Sequence, residues 1–506
     1  MNNLVIWPFV LPVITALVCL FGGRVALWRR WVVACSAVAQ VALAFYLQAQ
    51  TVGGTPLVQV LGGWSAHLGV ALVIDGLAAI MLCLSTLVAL ACILYSFFEL
   101  DVEHGHPLRL PLTQLLVAGI NLSFITGDLF NMFVAFEIML VASYALLTLE
   151  ANDRHIKEAF PYLIVNIFGS TIFLISAGMA YAVFGTLNLA QISERAAQME
   201  GSFAVALVAV MLMVVFGIKA GVFPLYYWLP NSYPILPYSL AALYSGMLTK
   251  VGIYVLLRML CTVFPHSLDR VHIVLGWLAG FTMVLAVLGA ISRNFVRGIL
   301  SFHIASQIGY MLLAIGLFTP LAIAACIFYV IHHIIVKSSL FLIGGIAFFR
   351  NGTDHLERMG GLWKAAPVLG VLFMLQAFSL AGIPPLSGFW GKFTIVAESL
   401  RAEQYWLAIA ALLASILTMV SMMKIWLQAF WRPSVSSVPL ENTHTLTTAS
   451  IVGMTGIVGV MVAMSLFIGL NAETFLQVST HAADALLDPT IYRSAVLSII
   501  GKGGAP

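Results

Sequence analysis

The chain has 506 residues, 61% of them hydrophobic and only 8% charged, with a formal net charge of +3. Soluble domains run near a quarter charged, so a water-soluble fold is excluded, and no basic stripe with interleaved aromatics suggests nucleic acid. The composition is that of an all-α integral membrane protein.

Runs of about twenty apolar residues, the length that spans a hydrocarbon core, recur along the chain. They predict about 14 transmembrane helices: 3–22, 31–49, 72–97, 110–126, 129–149, 159–184, 203–226, 236–262, 272–291, 299–318, 320–349, 367–398, 404–430 and 448–470. The first span has no basic residue ahead of it and no small-residue cleavage site, and Arg24, Arg29 and Arg30 follow it. It therefore reads as an anchor with its N-terminus outside rather than as a cleavable signal. Twelve basic residues then fall on the cytoplasmic side (Arg24, Arg29, Arg30, Arg109, Arg154, Lys157, Arg293, Arg297, Arg350, Arg358, Lys364, Arg432). The other side holds Arg195, Arg270, Arg401, Arg493 and Lys502, with Arg258 at a helix end. After Asn471 the tail reads as a polar, interfacial segment rather than a further span.

Charges inside the spans stand out. Glu137, Lys219, Lys250, Lys337, Lys392 and Lys424 each interrupt an apolar segment, at a cost of roughly 2.5–3.5 kcal/mol each at the centre of a membrane helix. The usual reason for such charges is that ions or protons move past them. Lys424 lies close enough to an aromatic-rich helix end to snorkel toward the interface instead. Asp75 opens the third span and reads either as a helix-capping acid or as a further buried charge. The six cysteines (Cys19, Cys35, Cys83, Cys92, Cys261, Cys326) are scattered singly and read as small core residues. Nothing ligates an iron–sulfur cluster or zinc, and no cofactor or metal is expected. No nucleotide-binding loop, catalytic triad or paired-carboxylate site occurs, so an enzyme is not expected.

The chain also repeats itself. FEIMLVASYALL at 136–147 aligns without gaps to FHIASQIGYMLL at 302–313, Gly185-Thr186 matches Gly352-Thr353, and Ala220-Gly221-Val222-Phe223-Pro224-Leu225 matches Ala381-Gly382-Ile383-Pro384-Pro385-Leu386. With an odd number of spans per unit, the second copy must cross the membrane upside down, the inverted-repeat plan of many transporters. The expected organisation is therefore an N-terminal part at 1–109, a first five-helix repeat at 110–262, a second, inverted one at 272–430, and a C-terminal helix and tail at 431–506. Each repeat is expected to hold one discontinuous helix, at 217–228 and at 378–392. These prolines could simply kink packed helices, but the breaks coincide with Lys219 and with Lys392.

A lysine deep in a membrane is pushed by desolvation toward its neutral form, and a carboxylate within about 4–6 Å pulls it back. If Glu137 pairs with Lys219, opening that pair releases a proton. The repeat places Glu137 opposite His303. His333 and Lys337 are four apart and share one helix face, while His332 points about 100° away. The candidate relay runs Glu137, Lys219, Lys250, His303, His332, His333, Lys337, Lys392.

The acid in FEIML, the Lys–Ala–Gly–x–x–Pro–Leu break, the lysine of LTKVGIY, and the HHIIVKSSLF and PPLSGFWGKF segments resemble the antiporter-like family shared by proton-pumping subunits of respiratory complex I and the Mrp sodium/proton antiporter. The match covers roughly residues 70–430. The start MNNLVIWPFVLPVITAL, the length and Lys392 look most like the D-type Mrp subunits. The resemblance implies a secondary ion transporter subunit in the cell inner (plasma) membrane, working with other membrane subunits on protons and Na+. It also implies Glu137 and Lys219 as a charge pair, Lys250 as a connecting lysine, the His332–Lys337 group as a mid-channel relay, and Lys392 as the terminal lysine. The alternative within the family is a proton-pumping subunit of a redox-driven complex.

Overall fold

The computed structural model describes residues 2–22, 26–62, 69–99, 106–149, 152–434 and 446–502. Arg24 lies outside these, as do the side chains of Arg154 and Lys502. Among the described residues, eleven helices are long and apolar enough to cross a membrane. In chain order the described helices are α1 (Trp7–Phe21), α2 (Ala26–Thr51), α3 (Gly76–Glu99), α4 (Arg109–Ile125), α5 (Leu129–Thr148), α6 (Asp153–Phe184), α7 (Leu189–Gln198), α8 (Phe203–Ala220), α9 (Trp228–Ser232) and α10 (Tyr238–Leu257). They continue as α11 (Asp269–Ser292), α12 (Val296–Leu317), α13 (Pro320–Asn351), α14 (Leu362–Ala365), α15 (Pro367–Ala381), α16 (Ser387–Arg401), α17 (Tyr405–Ile425), α18 (Thr448–Leu470), α19 (Ala472–Leu487) and α20 (Pro489–Lys502). Of these, α1, α4 and α15 are apolar but shorter.

The first N–H groups of a helix have no partner within it, and side-chain caps supply one at the starts of α5, α6 and α13. Asp128 accepts from Asn131 N at 2.8 Å ahead of α5, and Asn152 from His155 N at 2.9 Å ahead of α6. Thr319 accepts from Ala322 N at 3.1 Å ahead of α13, whose first residue is Pro320, where a missing N–H does no harm.

The helices sort by polarity in the sense that lipid demands. α13 is buried along its most apolar stretch, as is α10, and α12 nearly so. Around α13 pack α3, α10, α12, α15, α16, α18 and α19. On the outside, α6 turns Phe160, Phe168 and Tyr181 outward, and α17 turns Trp406 and Ile416. Lys250, His303, His332, His333 and Lys337 lie fully buried on these central helices.

The all-α expectation needs one addition. Leu57–Val60 (β1) and Ala71–Ile74 (β2) form an antiparallel hairpin, with Leu57 opposite Ile74 and Val60 opposite Ala71. The third span thus begins at Gly76, not at residue 72. The tail is helical: α19 packs against α13 and α3, and α20 against α7 and β1. Two short cross-links tie helix ends together: Leu129 N donates to Leu187 O and Leu189 N to Gly127 O, at 2.8 and 2.9 Å. Val296 N donates to Asp354 O and Leu356 N to Asn294 O, at 3.0 and 2.9 Å.

Candidate ion-transfer site

Two helix breaks organise the buried charges. α8 ends at Ala220, where Gly221 adopts φ 78°, and both Gly221 N and Val222 N donate back to Gly217 O. α15 ends at Ala381 in the same way, with Gly382 at φ 90° and both Gly382 N and Ile383 N donating to Phe378 O. Positive φ is what makes glycine the residue that closes each half-helix. At the second break glycine is required twice over, because a Cβ on Gly382 would stand 2.9 Å from Lys392 Cδ. Gly382→Ala is expected to destabilise the protein by roughly 1–2 kcal/mol, read as a lowered thermal midpoint in detergent; an unchanged midpoint would refute this account of the break.

Each break holds an ammonium at the carbonyl end of a half-helix, where the helix dipole favours positive charge. Lys219 sits in the last turn of α8, 3% exposed, and its Nζ donates to Asn166 O at 3.0 Å and Ser170 Oγ at 3.1 Å, both on α6. Lys392 approaches from the other side. It stands on α16, after the break, and reaches back to Leu380 O at 2.8 Å, Ala381 O at 3.3 Å and Ser415 Oγ at 3.0 Å, with Nζ 4.6 Å from the Tyr310 ring centre.

Glu137 is half-buried on α5 and acts on Lys219 through space. Among the described residues the two make no ion pair within 4.0 Å: α6 holds the ammonium, and Glu137 Oε1 is buried without a hydrogen-bond partner in the protein. They form one group of their own.

The other six candidates form a second, central group. Lys250 on α10 is fully buried and donates to Ser245 O of its own helix. It lies within electrostatic reach of His333 and Lys337 on α13. His333 uses neither ring nitrogen in a protein hydrogen bond, and Lys337 Nζ likewise has no such partner. His332 turns away from His333 and meets Ser387 Oγ at 2.8 Å; that hydroxyl also contacts Ser379 Oγ at 3.0 Å and Ser465 Oγ at 3.2 Å. His303 Nε2 meets Ser421 Oγ at 2.5 Å and feels both Lys337 and Lys392. Lys424, by contrast, caps α11, donating to Ile291 O at 3.0 Å, Arg293 O at 2.8 Å and Asn294 Oδ1 at 2.7 Å.

Buried side-chain atoms without protein partners include Thr249 Oγ1, both His333 nitrogens, Lys337 Nζ and both ends of the Gln376 amide. Leaving such groups unpartnered costs about 1–3 kcal/mol each. Among the described residues, no group of three or more His, Cys, Asp or Glu side chains could hold a metal ion.

Several polar partners carry no signal in the sequence. Tyr329 Oη donates to Gln307 Oε1 and its ring lies beside His332 and His333, with centroids at 5.2 and 6.2 Å. Asp75 does cap α3, accepting from Ala78 N at 3.0 Å, but it also takes both arms of the buried Arg258 at 2.5 and 2.8 Å. Glu99 at the end of α3 accepts from Tyr238 N at 2.7 Å and Ser239 N at 3.1 Å, and so caps α10.

Residues 126–418 match the family described as "NADH:quinone oxidoreductase/Mrp antiporter, TM". The chain is similar to the D-type subunit of the Na(+)/H(+) antiporter of Alkalihalophilus pseudofirmus, 40% identical over 98% of this chain and 100% of that one. It is also similar to the D-type subunit of the Bacillus subtilis Na(+)/H(+) antiporter, 35% identical with the same coverage. Among solved structures it superposes on a chain of the Mrp complex from Dietzia sp. with a TM-score of 0.90 at 32% identity, covering 98% of this chain and 99% of that one. A chain of respiratory complex I from Thermus thermophilus shares the fold, with a TM-score of 0.80 at 23% identity over 95% and 99% of the two chains. The two breaks with their ammonium groups and these full-length similarities lead to one assignment: the chain belongs to the NADH:quinone oxidoreductase/Mrp antiporter family of membrane subunits, and within it to the D-type subunits of Na+/H+ antiporters.

Proposed function

We propose that this chain is the proton-translocating subunit of a multisubunit Mrp-type Na+/H+ antiporter, a secondary transporter working with other membrane subunits. The observation that carries the reading is a set of titratable side chains at two helix breaks and on the helices of the core: half-buried Glu137 and buried Lys219 at the first, Lys250, His303, His332, His333 and Lys337 on α10, α12 and α13, and Lys392 at the second. Lysines held by carbonyls in a buried site exchange protons with water chains only when local charge favours it. Glu137 supplies that control at Lys219. The two free nitrogens of His333 suit it to accept a proton on one side and release one on the other, passing charge between Lys250 and Lys337. Lys392 ends the path.

The same reading takes the fold as fourteen spans, the eleven long helices with α1, α4 and the α15–α16 pair, and as two inverted units at 110–262 and 272–430 flanked by 1–109 and 431–506. Its support is duplication of backbone detail. The Leu129–Leu187 and Leu189–Gly127 bonds recur as Val296–Asp354 and Leu356–Asn294, and the Gly217 cap recurs at Phe378. The bias of basic residues supports an outside N-terminus in the cell inner (plasma) membrane.

Glu137→Gln removes the control charge with little change in shape. In everted vesicles holding the assembled complex, it is expected to reduce Na+-dependent proton movement about tenfold or more while complex recovery stays near normal. Loss of the assembled complex instead would mean that Glu137 is a structural charge.

A further inference from the structure

Lys219 and Lys392 both place an ammonium at the carbonyl end of a half-helix, but the charges around them differ. Glu137 acts on Lys219 through space. Lys392 has no such acid among the described residues. Its helix, α16, packs against α12, α13, α15, α17 and α18, and none of these five carries an aspartate or a glutamate. The one acid on α16 itself, Glu398, is taken up at the far end of the helix by Thr319 Oγ1 at 2.6 Å and Arg401 at 2.7 Å. Glu473 on α19 is exposed, and Lys424 on α17 is bound at the end of α11. The titratable groups that reach Lys392 electrostatically are bases: His303 on α12, and His332 and His333 on α13.

What faces the Lys392 ammonium is an aromatic ring. Nζ stands 4.6 Å from the Tyr310 ring centre, and both side chains are buried. The ring is fixed in place: Tyr310 Oη donates to Ala411 O on α17 at 2.5 Å, and the ring packs on Tyr329 at 5.6 Å. Tyr329 in turn donates to Gln307 Oε1 and lies beside His332 and His333 at 5.2 and 6.2 Å. One aromatic surface thus runs from the two histidines to the terminal lysine. The first half does not repeat it. In the gapless alignment Tyr310 corresponds to Tyr144, which packs on Tyr162 at 5.4 Å, and Glu137 stands where the second half has His303.

We infer that the Tyr310 ring is the counter-group of Lys392, in the place a carboxylate would take, and that Tyr310 is a positioning residue that sets the pH range over which the terminal lysine loads. The inference rests on the relay proposed above. The face of an aromatic ring carries the negative part of its quadrupole and attracts an ammonium, most strongly in a desolvated site. It differs from a carboxylate in two ways: its pull is weaker than that of a buried ion pair, and a ring face takes no proton. A carboxylate beside Lys392 would pin the ammonium or accept its proton. The ring favours the loaded lysine and leaves the proton on Nζ until it departs.

The test follows Na+-dependent proton movement against pH by the assembled antiporter in everted vesicles, with both faces started at the same pH. Lys392 loads only where it can hold a proton, so loss of the ring face confines loading to lower pH. Tyr310→Leu is expected to move the alkaline limb of the profile down by about one pH unit. Tyr310→Phe, which keeps the face and loses the bond to Ala411, is expected to hold the limb near its original place. Leucine also changes the packing, so phenylalanines with increasing numbers of ring fluorines are placed at position 310 as well. They keep the shape and weaken the face stepwise, and the limb is expected to fall stepwise with them. A limb that stays in place across the fluorinated series, in normally assembled complex, overturns the inference. So does a Tyr310→Phe limb displaced as far as that of Tyr310→Leu, which assigns the effect to the hydroxyl. Lys392→Ala separates this inference from the relay. Transport that survives it removes the terminal lysine from the path; transport lost there, with an unmoved limb in the ring series, confines the failure to Tyr310.

Discussion

Lys219→Ala is expected to abolish Na+-dependent proton movement by the assembled complex, and Lys219→Arg is expected to fare no better. Alanine removes the ammonium from the first break and leaves Asn166 O and Ser170 Oγ facing a gap that water can fill. α8 is not weakened, since alanine is the strongest helix former, so assembly should survive. Arginine separates charge from titration. It keeps a positive group at the helix end, where the dipole favours it, but a guanidinium does not give up its proton in a protein. If the site needed only a fixed charge, for steering or packing, arginine would restore transport. If it needs a group that loads and unloads, arginine fails as alanine does. The measurement is sodium-triggered proton movement in everted vesicles, normalised to the amount of complex recovered. Full transport in the alanine variant would sink the relay; restored transport in the arginine variant would sink proton release from Lys219.

Much of this was legible in the chain because lipid is a strict solvent. A lysine amid twenty apolar residues stands out as no lysine in a soluble helix does, and all five such lysines are found on inward or capping positions. The breaks were legible too, since Gly–x–x–Pro has few uses inside an apolar run. The hairpin was not: Ala71–Ile74 is apolar throughout and runs straight into an apolar helix, so no alternation separates strand from helix. The tail read as interfacial because its apolar positions alternate with polar ones, yet one face of α19, with Ala482, Ala483 and Leu486, is buried.

At the site the sequence named the charges but not what holds them. Ser170, Ser387, Ser415 and Ser421 each touch a relay residue, but serine is common in membrane helices and sends no signal of its own. The Glu137–Lys219 expectation shows the same limit. Sequence supplies an acid and a base in two apolar spans; whether they touch depends on the α6 groups that compete for the ammonium. Lys392 shows the opposite case. Aligned by the breaks, it has no counterpart of Lys219, whose position corresponds to Leu380; yet it donates to the Leu380 carbonyl, so its side-chain length restores the charge to the matching place.

Asp75→Ala is expected to damage the fold more than any single relay substitution. Asp75 and Arg258 are 183 residues apart in sequence and meet through two hydrogen bonds, with side chains 9% and 4% exposed. Arg258 also donates to Tyr254 Oη at 3.2 Å and lies against the Tyr254 and Tyr492 rings. The pair thus joins the start of α3, the end of α10 and the tail helix α20. Removing one partner leaves a buried guanidinium with no counter-charge, which costs about 3–5 kcal/mol, whereas replacing both with apolar groups of similar size is often close to neutral. Asp75→Ala should therefore reduce recovery of the complex severely and lower its thermal midpoint in detergent. Asp75→Leu combined with Arg258→Met should restore most of both. Transport tells whether the pair does more than hold three segments together. Normal transport in the double variant assigns it to structure alone; a well-assembled double variant without transport would place a charge that the relay needs outside the two breaks.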